Sequence, residues 1–147
     1  GITVYASRTT DEYIGRDGRV EFATSYDNAD LYVSVHNNSS SNKNYDGTLV
    51  MYHNGDYEKD YGITSKEVAE IVLKELVNDL GTRSWGVRDP LDQVWVLYYS
   101  ELPSIMCEVS FISNDAELER LKTEEFQETA AQAIYNGIMI AKEKMGK

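Results

Sequence analysis

Cysteine is nearly absent from this chain, and the absence excludes a good deal. One residue, Cys107, cannot build an internal disulfide framework or a multi-cysteine metal site. Its neighbours Ile105, Met106 and Val109 point to a buried structural thiol rather than a nucleophile. Long apolar runs are missing too. No window approaches the roughly 18 consecutive apolar residues of a membrane-spanning helix, so the chain is expected to be soluble or at most peripheral. Positive charge is scarce: 14 Lys and Arg stand against 25 Asp and Glu, a net charge of −11 and a pI of about 4.5. Such a surface repels phosphate backbones and argues against general nucleic-acid binding. Its plainest consequence is solubility. No basic segment followed by an apolar one opens the sequence, so no export leader can be read in these residues. Internal repeats, low-complexity tracts and linkers are also missing.

What is present fits one domain over residues 1–147, with 41% hydrophobic residues for a core. Residues 2–7 (Ile-Thr-Val-Tyr-Ala-Ser) read as a short strand. Residues 12–27 are ambiguous: Val20, Phe22 and Ala23 suggest a helix face, but Gly15 and Gly18 weaken its start. Residues 30–36 form a strand in which Leu31, Val33 and Val35 face one way and Tyr32, Ser34 and His36 the other. A polar loop with four Asn and three Ser covers 37–46, and a strand covers 48–53. Residues 64–80 predict the clearest helix. Thr64 and Glu67 make a capping box, Val68, Ile71, Val72, Leu76 and Leu80 share a face, and Gly81 closes the end. A loop carrying Trp85, Gly86 and Pro90 then leads to a predicted strand at 94–99, and Pro103 precedes another at 104–111. Asn114 with Glu117 starts a short helix, and a long one covers about 124–144 with Phe126, Ala130, Ala133, Ile134, Ile138 and Ala141 inward. Strands alternating with helices predict an α/β class with a mostly parallel or mixed sheet flanked by helices, the helix at 64–80 serving as a crossover.

Two residues stand out chemically. The chain has two histidines, His36 and His53. His36 closes an apolar strand, where ligand sites form in open α/β sheets. It reads as a metal ligand, a base or a hydrogen-bonded surface group. Glu108 sits inside an otherwise apolar strand, where carboxylates are rarely buried without a partner or a metal. It reads as half of a buried salt bridge or as a general base tuned by its surroundings. Together, a neutral imidazole and a buried carboxylate at two strand ends suit a hydrolytic metal site. They are too few on their own for a catalytic zinc, which takes three protein ligands.

The surrounding residues resemble a known family. Ala29-Asp-Leu-Tyr-Val-Ser-Val-His36-Asn-Asn-Ser39 resembles the zinc-ligand strand of the N-acetylmuramoyl-L-alanine amidase family 3 catalytic domain. Met106-Cys-Glu108-Val-Ser-Phe-Ile-Ser-Asn114 is similar to its catalytic-glutamate motif, with Ser110 in place of the usual glycine. Arg8-Thr-Thr-Asp11 followed by Arg19-Val and Ala23 also resembles the stretch before the histidine strand, and the resemblance covers essentially the whole chain.

The resemblance implies an amidase fold and a zinc-dependent peptidoglycan hydrolase, of the kind found in bacterial autolysins and phage lysins. It implies His36 as a metal ligand and Glu108 as the catalytic glutamate, close together at one sheet edge. Asn38 and Ser110 are candidate substrate-site groups; Asn37 and Arg88 read as solvated. The family's first strand, with a D-P-G-H-G type motif, and its following helix supply two further zinc ligands. Neither matches anything in this chain, which begins at the family's next strand. The expectations are therefore an N-terminally truncated domain, weak or absent zinc, an exposed sheet edge prone to self-association, and an extracellular or cell-wall location. The rival reading is an inactive amidase-like module that binds wall fragments or a protein partner.

Overall fold

Eight consecutive buried residues, Ser104–Phe111, form the strand around which the molecule is built. The computed structural model describes residues 1–26, 28–55 and 58–147, with Glu58 and Lys59 described through their backbone alone. In chain order the elements are α1 (Arg16–Thr24), β1 (Tyr32–Asn38), β2 (Thr48–Tyr52), α2 (Glu58–Tyr61), α3 (Ser65–Leu80), β3 (Ser84–Arg88), α4 (Trp95–Tyr98), β4 (Ser104–Phe111), α5 (Asp115–Leu121) and α6 (Glu124–Lys144). The four strands make one mixed sheet in the order β1-β4-β2-β3. β1 runs parallel to β4, β4 antiparallel to β2, and β2 parallel to β3. The fold is a single α/β domain.

The core lies between the sheet and the α3–α6 pair. Val68, Val72 and Leu76 of α3 and Ala133 and Ala141 of α6 pack with Ile105 and Cys107 of β4. The helices meet closely at Gly137: a Cβ there would lie 2.9 Å from the Val72 Cα. On the other sheet face Met106 packs with Val96 and Leu97 of α4, and Tyr32 and Val20 lean on that cluster. β4 is thus covered on both faces, which explains its unbroken burial.

The α3 signals are realised as read. Thr64 Oγ1 accepts the Glu67 N–H at 3.1 Å, and Glu67 Oε2 accepts the Thr64 N–H at 3.0 Å. Gly81 closes the helix in the left-handed region at φ 63. The α6 boundaries coincide with the periodicity, and Asn114 caps α5 by accepting the Ala116 and Glu117 N–H groups. The ambiguous stretch 12–27 holds α1, which starts after Gly15; Asp27 lies outside the described residues.

Three expectations need correction. Residues 2–7 are not a strand: no ladder includes them. A strand is a pairing, and β-type composition without a neighbour to bond leaves the segment irregular. Side chains rather than a ladder tie this end of the chain down: Tyr5 stacks on Tyr26 at 4.1 Å, Asn28 donates to the Tyr5 hydroxyl, and Lys142 donates to the Gly1 carbonyl. Residues 94–99 are not a strand either. Trp95–Tyr98 form a helical turn that buries Val96 and Leu97 side by side and exposes Trp95, Tyr98 and Tyr99. A short apolar run reads equally as helix or strand, and the Met106 face decided it. Conversely, the loop around Gly86 is strand β3. Thr48 pairs with Ser84 and Val50 with Val87, while Gly86 supplies φ +77 across a register shift.

Candidate active site

His36 and Glu108 face each other across the β1–β4 ladder as register partners. The strands are parallel, so both side chains project from the same face near the same, C-terminal, end. The next strand over, β2, enters this edge from the other direction, with Leu49 opposite Glu108. Thr48 anchors the edge: its hydroxyl donates to the Val109 carbonyl at 2.8 Å and shares a hydrogen bond with Thr82.

The pair is electrostatically matched to proton transfer. Glu108 is 9% exposed, and its Oε2 is buried without a hydrogen-bond partner among the described residues. Burial pushes its carboxyl up to about 7, because removing water penalises the charged form. No ion pair among the described residues includes Glu108, which removes the salt-bridge reading. His36 is half-buried, and burial, followed by the charges of Arg19 and Arg8, holds its imidazole below the usual range. It is therefore neutral at neutral pH, with a lone pair to offer. Cys107, on the opposite face of β4 in the α3–α6 core, is fully buried, and its thiol is pushed up to about 12 by burial and by the charge of Glu108. It is a structural residue.

A cleft of about 290 Å³ opens beside His36. Ser34, His36 and Met106 form part of its sheet wall; Tyr13, Ile14, Arg16 and Arg19 come from the α1 side; Gln93, Val94, Trp95 and Val96 come from the α4 side. Composition gave no signal for the α4 wall, because its residues read as a strand. A helical reading of 94–99, with Trp95 outward, would have found it.

The other candidates are placed differently. Asn38 ends β1 beyond His36; its side chain accepts the Ser39 N–H and its carbonyl accepts the Ile112 N–H, which ties the site loop to β4. Ser110 is fully buried and donates to Glu117, which Arg120 holds from the other side at 2.9 Å. Arg120 also donates to the Leu80 carbonyl. Ser110 therefore locks α5 and the end of α3 onto β4. Asn37 and Arg88 are exposed. His53 follows the end of β2 at Tyr52, which pairs with Ile105, and lies 3.4 Å from Asp89. Ile105 is three residues along β4 from Glu108, roughly 10 Å, so His53 lies at the opposite end of the sheet.

Whether these residues suit zinc can be tested on the donor set. His36 offers a neutral nitrogen and Glu108 a buried carboxylate oxygen. Among the described residues no group of three or more His, Cys, Asp or Glu could hold a metal, whereas a catalytic zinc takes three protein ligands. The described residues do not by themselves make a zinc site.

With this geometry in view, comparison with known proteins becomes informative. The profile of the amidase 3 family, described as N-acetylmuramoyl-L-alanine amidase, matches residues 1–139. The chain belongs to that family. It is 38% identical to the uncharacterised protein YqiI of Bacillus subtilis (strain 168) over 138 residues, covering 94% of this chain and 63% of YqiI. It is 34% identical to the N-acetylmuramoyl-L-alanine amidase LytC of the same strain, covering 89% of this chain and 25% of LytC. Among solved structures it superposes on an N-acetylmuramoyl-L-alanine amidase from Clostridium difficile 630 with a TM-score of 0.81 and 28% identity, covering 93% of this chain and 70% of that one. The chain thus spans under two thirds of YqiI and about a quarter of LytC. The mixed sheet flanked by helices is the amidase fold.

Proposed function

We propose that this domain hydrolyses the amide between the lactyl group of N-acetylmuramic acid and L-alanine of the peptidoglycan stem peptide. The observation that carries the reading is the in-register pairing of His36 with a buried Glu108 whose Oε2 has no hydrogen-bond partner among the described residues. Family membership supplies the substrate class. A carboxyl with a proton affinity near neutrality is suited to take a proton from the attacking water and return it to the leaving amine. The neutral imidazole of His36 presents a nitrogen to the same spot. Asn38 holds the loop beside it; Ser110, a candidate for substrate contact by resemblance, acts through packing.

Zinc, when bound, would lower the pKa of the attacking water. With one imidazole and one carboxylate available, we propose that this chain holds zinc weakly and turns over slowly. Geometry leaves His53 unable to complete the site within one chain. We place the activity outside the cell or in the cell wall. No described helix is long and apolar enough to cross a membrane. β1 is an edge strand of the sheet, and Val35 on it is 59% exposed. That open edge supports self-association, since an unprotected edge is a template for another strand. Sedimentation at several concentrations tests it, and a monomer at every concentration would overturn it.

The activity is tested by incubating purified muropeptides with the chain and measuring newly freed L-alanine amino groups, with elemental analysis of zinc after dialysis. The expected result is slow release with substoichiometric zinc, and a loss of at least about 100-fold in Glu108→Gln, the scale of general acid–base catalysis. Retained release in Glu108→Gln would remove Glu108 from the chemistry. Muropeptide binding with no release at all would establish the non-catalytic wall-binding reading instead.

A further inference from the structure

The cleft beside His36 carries two arginines without an ion-pair partner among the described residues. The chain has 25 acidic residues against 14 basic ones, so an unpaired guanidinium is not a default outcome. Among the described residues, however, no carboxylate lies within ion-pair distance of Arg16 or Arg19. Arg19 donates through Nε to the Ile14 carbonyl at 2.8 Å, which fixes its orientation with other N–H donors to spare. Arg16 rests over the ring of Trp95, 4.6 Å from its centre, so its planar fork is held against an aromatic face. Both line the same cleft as His36. The surroundings add to the positive field. Arg16 is the first residue of α1, whose N-cap, Gly15, provides no side-chain acceptor for the free N–H groups. Asp17 of the same turn is exposed and does not line the cleft.

Two held guanidinium groups in the cleft beside His36, one member of the proposed amide-cleaving pair, select for a planar anion, since the arginine fork matches a carboxylate. The substrate chemistry says which half of the substrate supplies it. The carboxyl of muramic acid is the acyl half of the amide being cut, so the glycan side arrives without charge. Carboxylates remain on the peptide side. We infer that Arg16 and Arg19 form a carboxylate subsite that receives the residue following L-alanine in the stem peptide, and so distinguish stems with a free α-carboxylate there from stems in which it is amidated. This rests on the amidase reading and adds a substrate preference to it.

The test is a binding measurement, independent of turnover. The chain is titrated at low salt with N-acetylmuramoyl-L-alanyl-D-glutamate and with N-acetylmuramoyl-L-alanyl-D-isoglutamine, which differ only in carboxylate versus carboxamide at the α position. The free acid is expected to bind about tenfold more tightly, as one charge-assisted contact supplies. Arg16→Gln, at an exposed position at the start of a helix, is expected to reduce the preference severalfold with the fold intact. Arg19→Gln is expected to remove most of the remainder of the preference. Equal binding of acid and amide by the unaltered chain would overturn the subsite and leave the amidase reading standing. Binding of neither ligand would overturn both. Inorganic phosphate competing as strongly as the dipeptide acid would show a general anion cleft, and the claimed preference would fall.

Discussion

Two parts of this molecule start from similar sequence material and end in opposite states. Ser104–Phe111 and residues 2–7 are both apolar and β-type in composition. The first lies mid-sheet with a strand on each side and helices over both faces, every residue buried. The second runs exposed along the surface and joins no ladder. The difference teaches that strand propensity measures fit to a pleated, half-buried surface and does not create that surface. The His36–Glu108 pair shows the same contrast on a smaller scale. Glu108 belongs to the buried strand and owes its raised pKa to that burial. His36 belongs to the edge strand and stays half open to the cleft.

The comparison is broken most sharply in the core. Leu76→Ala, at a fully buried position on α3, is expected to cost about 3–5 kcal/mol through lost transfer and a residual cavity. Ile2→Ala is expected to stay within about 0.5 kcal/mol. Denaturant melts of both variants against the parent check the pair. Comparable losses would mean that residues 2–7 are packed after all.

Next in size is Gly137→Ala. On an exposed helix this change stabilises, because alanine is the better helix former. Here the new Cβ would meet the Val72 backbone at 2.9 Å, where nothing flexible can give way. The expected outcome is a loss of about 1–3 kcal/mol from forcing α3 and α6 apart. A thermal melt with unchanged or raised Tm would show that the two helices have room to slide.

Much of this was legible in the sequence, and the gaps have physical causes. α3 and α6 were readable because capping and 3.6-residue periodicity are local signals that packing then reinforced. β4 and its glutamate were readable because a carboxylate in an apolar run is expensive without a purpose. His36 was readable as the end of a strand, and the shared edge followed from both strands being parallel. The arginine cleft was not readable, because α4 carries a strand's composition and becomes helical only where Val96 and Leu97 close over Met106. Ser110 looked like a site residue by resemblance; only its bond to the buried Glu117, which lies beyond the end of β4 on α5, reveals a packing role.

Protonation sharpens the contrast between buried strand and solvent. The folded-state pKa of Glu108 lies above its ordinary value of 4.5, at about 7, so the folded chain binds more protons than the unfolded one between those values. Stability contributed by the neutral carboxyl is complete below about 4.5 and is lost as the pH rises through about 7. The loss should be on the order of 1–2 kcal/mol once solvent screening at the sheet edge is allowed for. Glu108→Gln stays neutral, so the difference in Tm between the variant and the parent should widen from pH 5 to pH 8 in favour of the variant. A constant difference would mean that water reaches both carboxylate oxygens.

The smallest effect is expected from the change that would be worst in a real strand. Proline inside a sheet removes a ladder hydrogen bond and is found essentially only at edges or bulges. At Thr3→Pro the same substitution meets no ladder, because residues 2–7 pair with nothing. The neighbouring backbone contact is the Gly1 carbonyl accepting from Lys142, which a proline at position 3 leaves in place. The expected cost is therefore under about 0.5 kcal/mol, with amide exchange in residues 2–7 as fast as in free peptide before and after the change. The control is Val50→Pro in β2, fully buried and paired with both Cys107 and Val87, which should prevent folding. A large loss at Thr3→Pro accompanied by slow exchange in the parent would show that this segment is paired in solution. Concentration dependence of that protection would then identify the partner strand as one from a second copy of the chain.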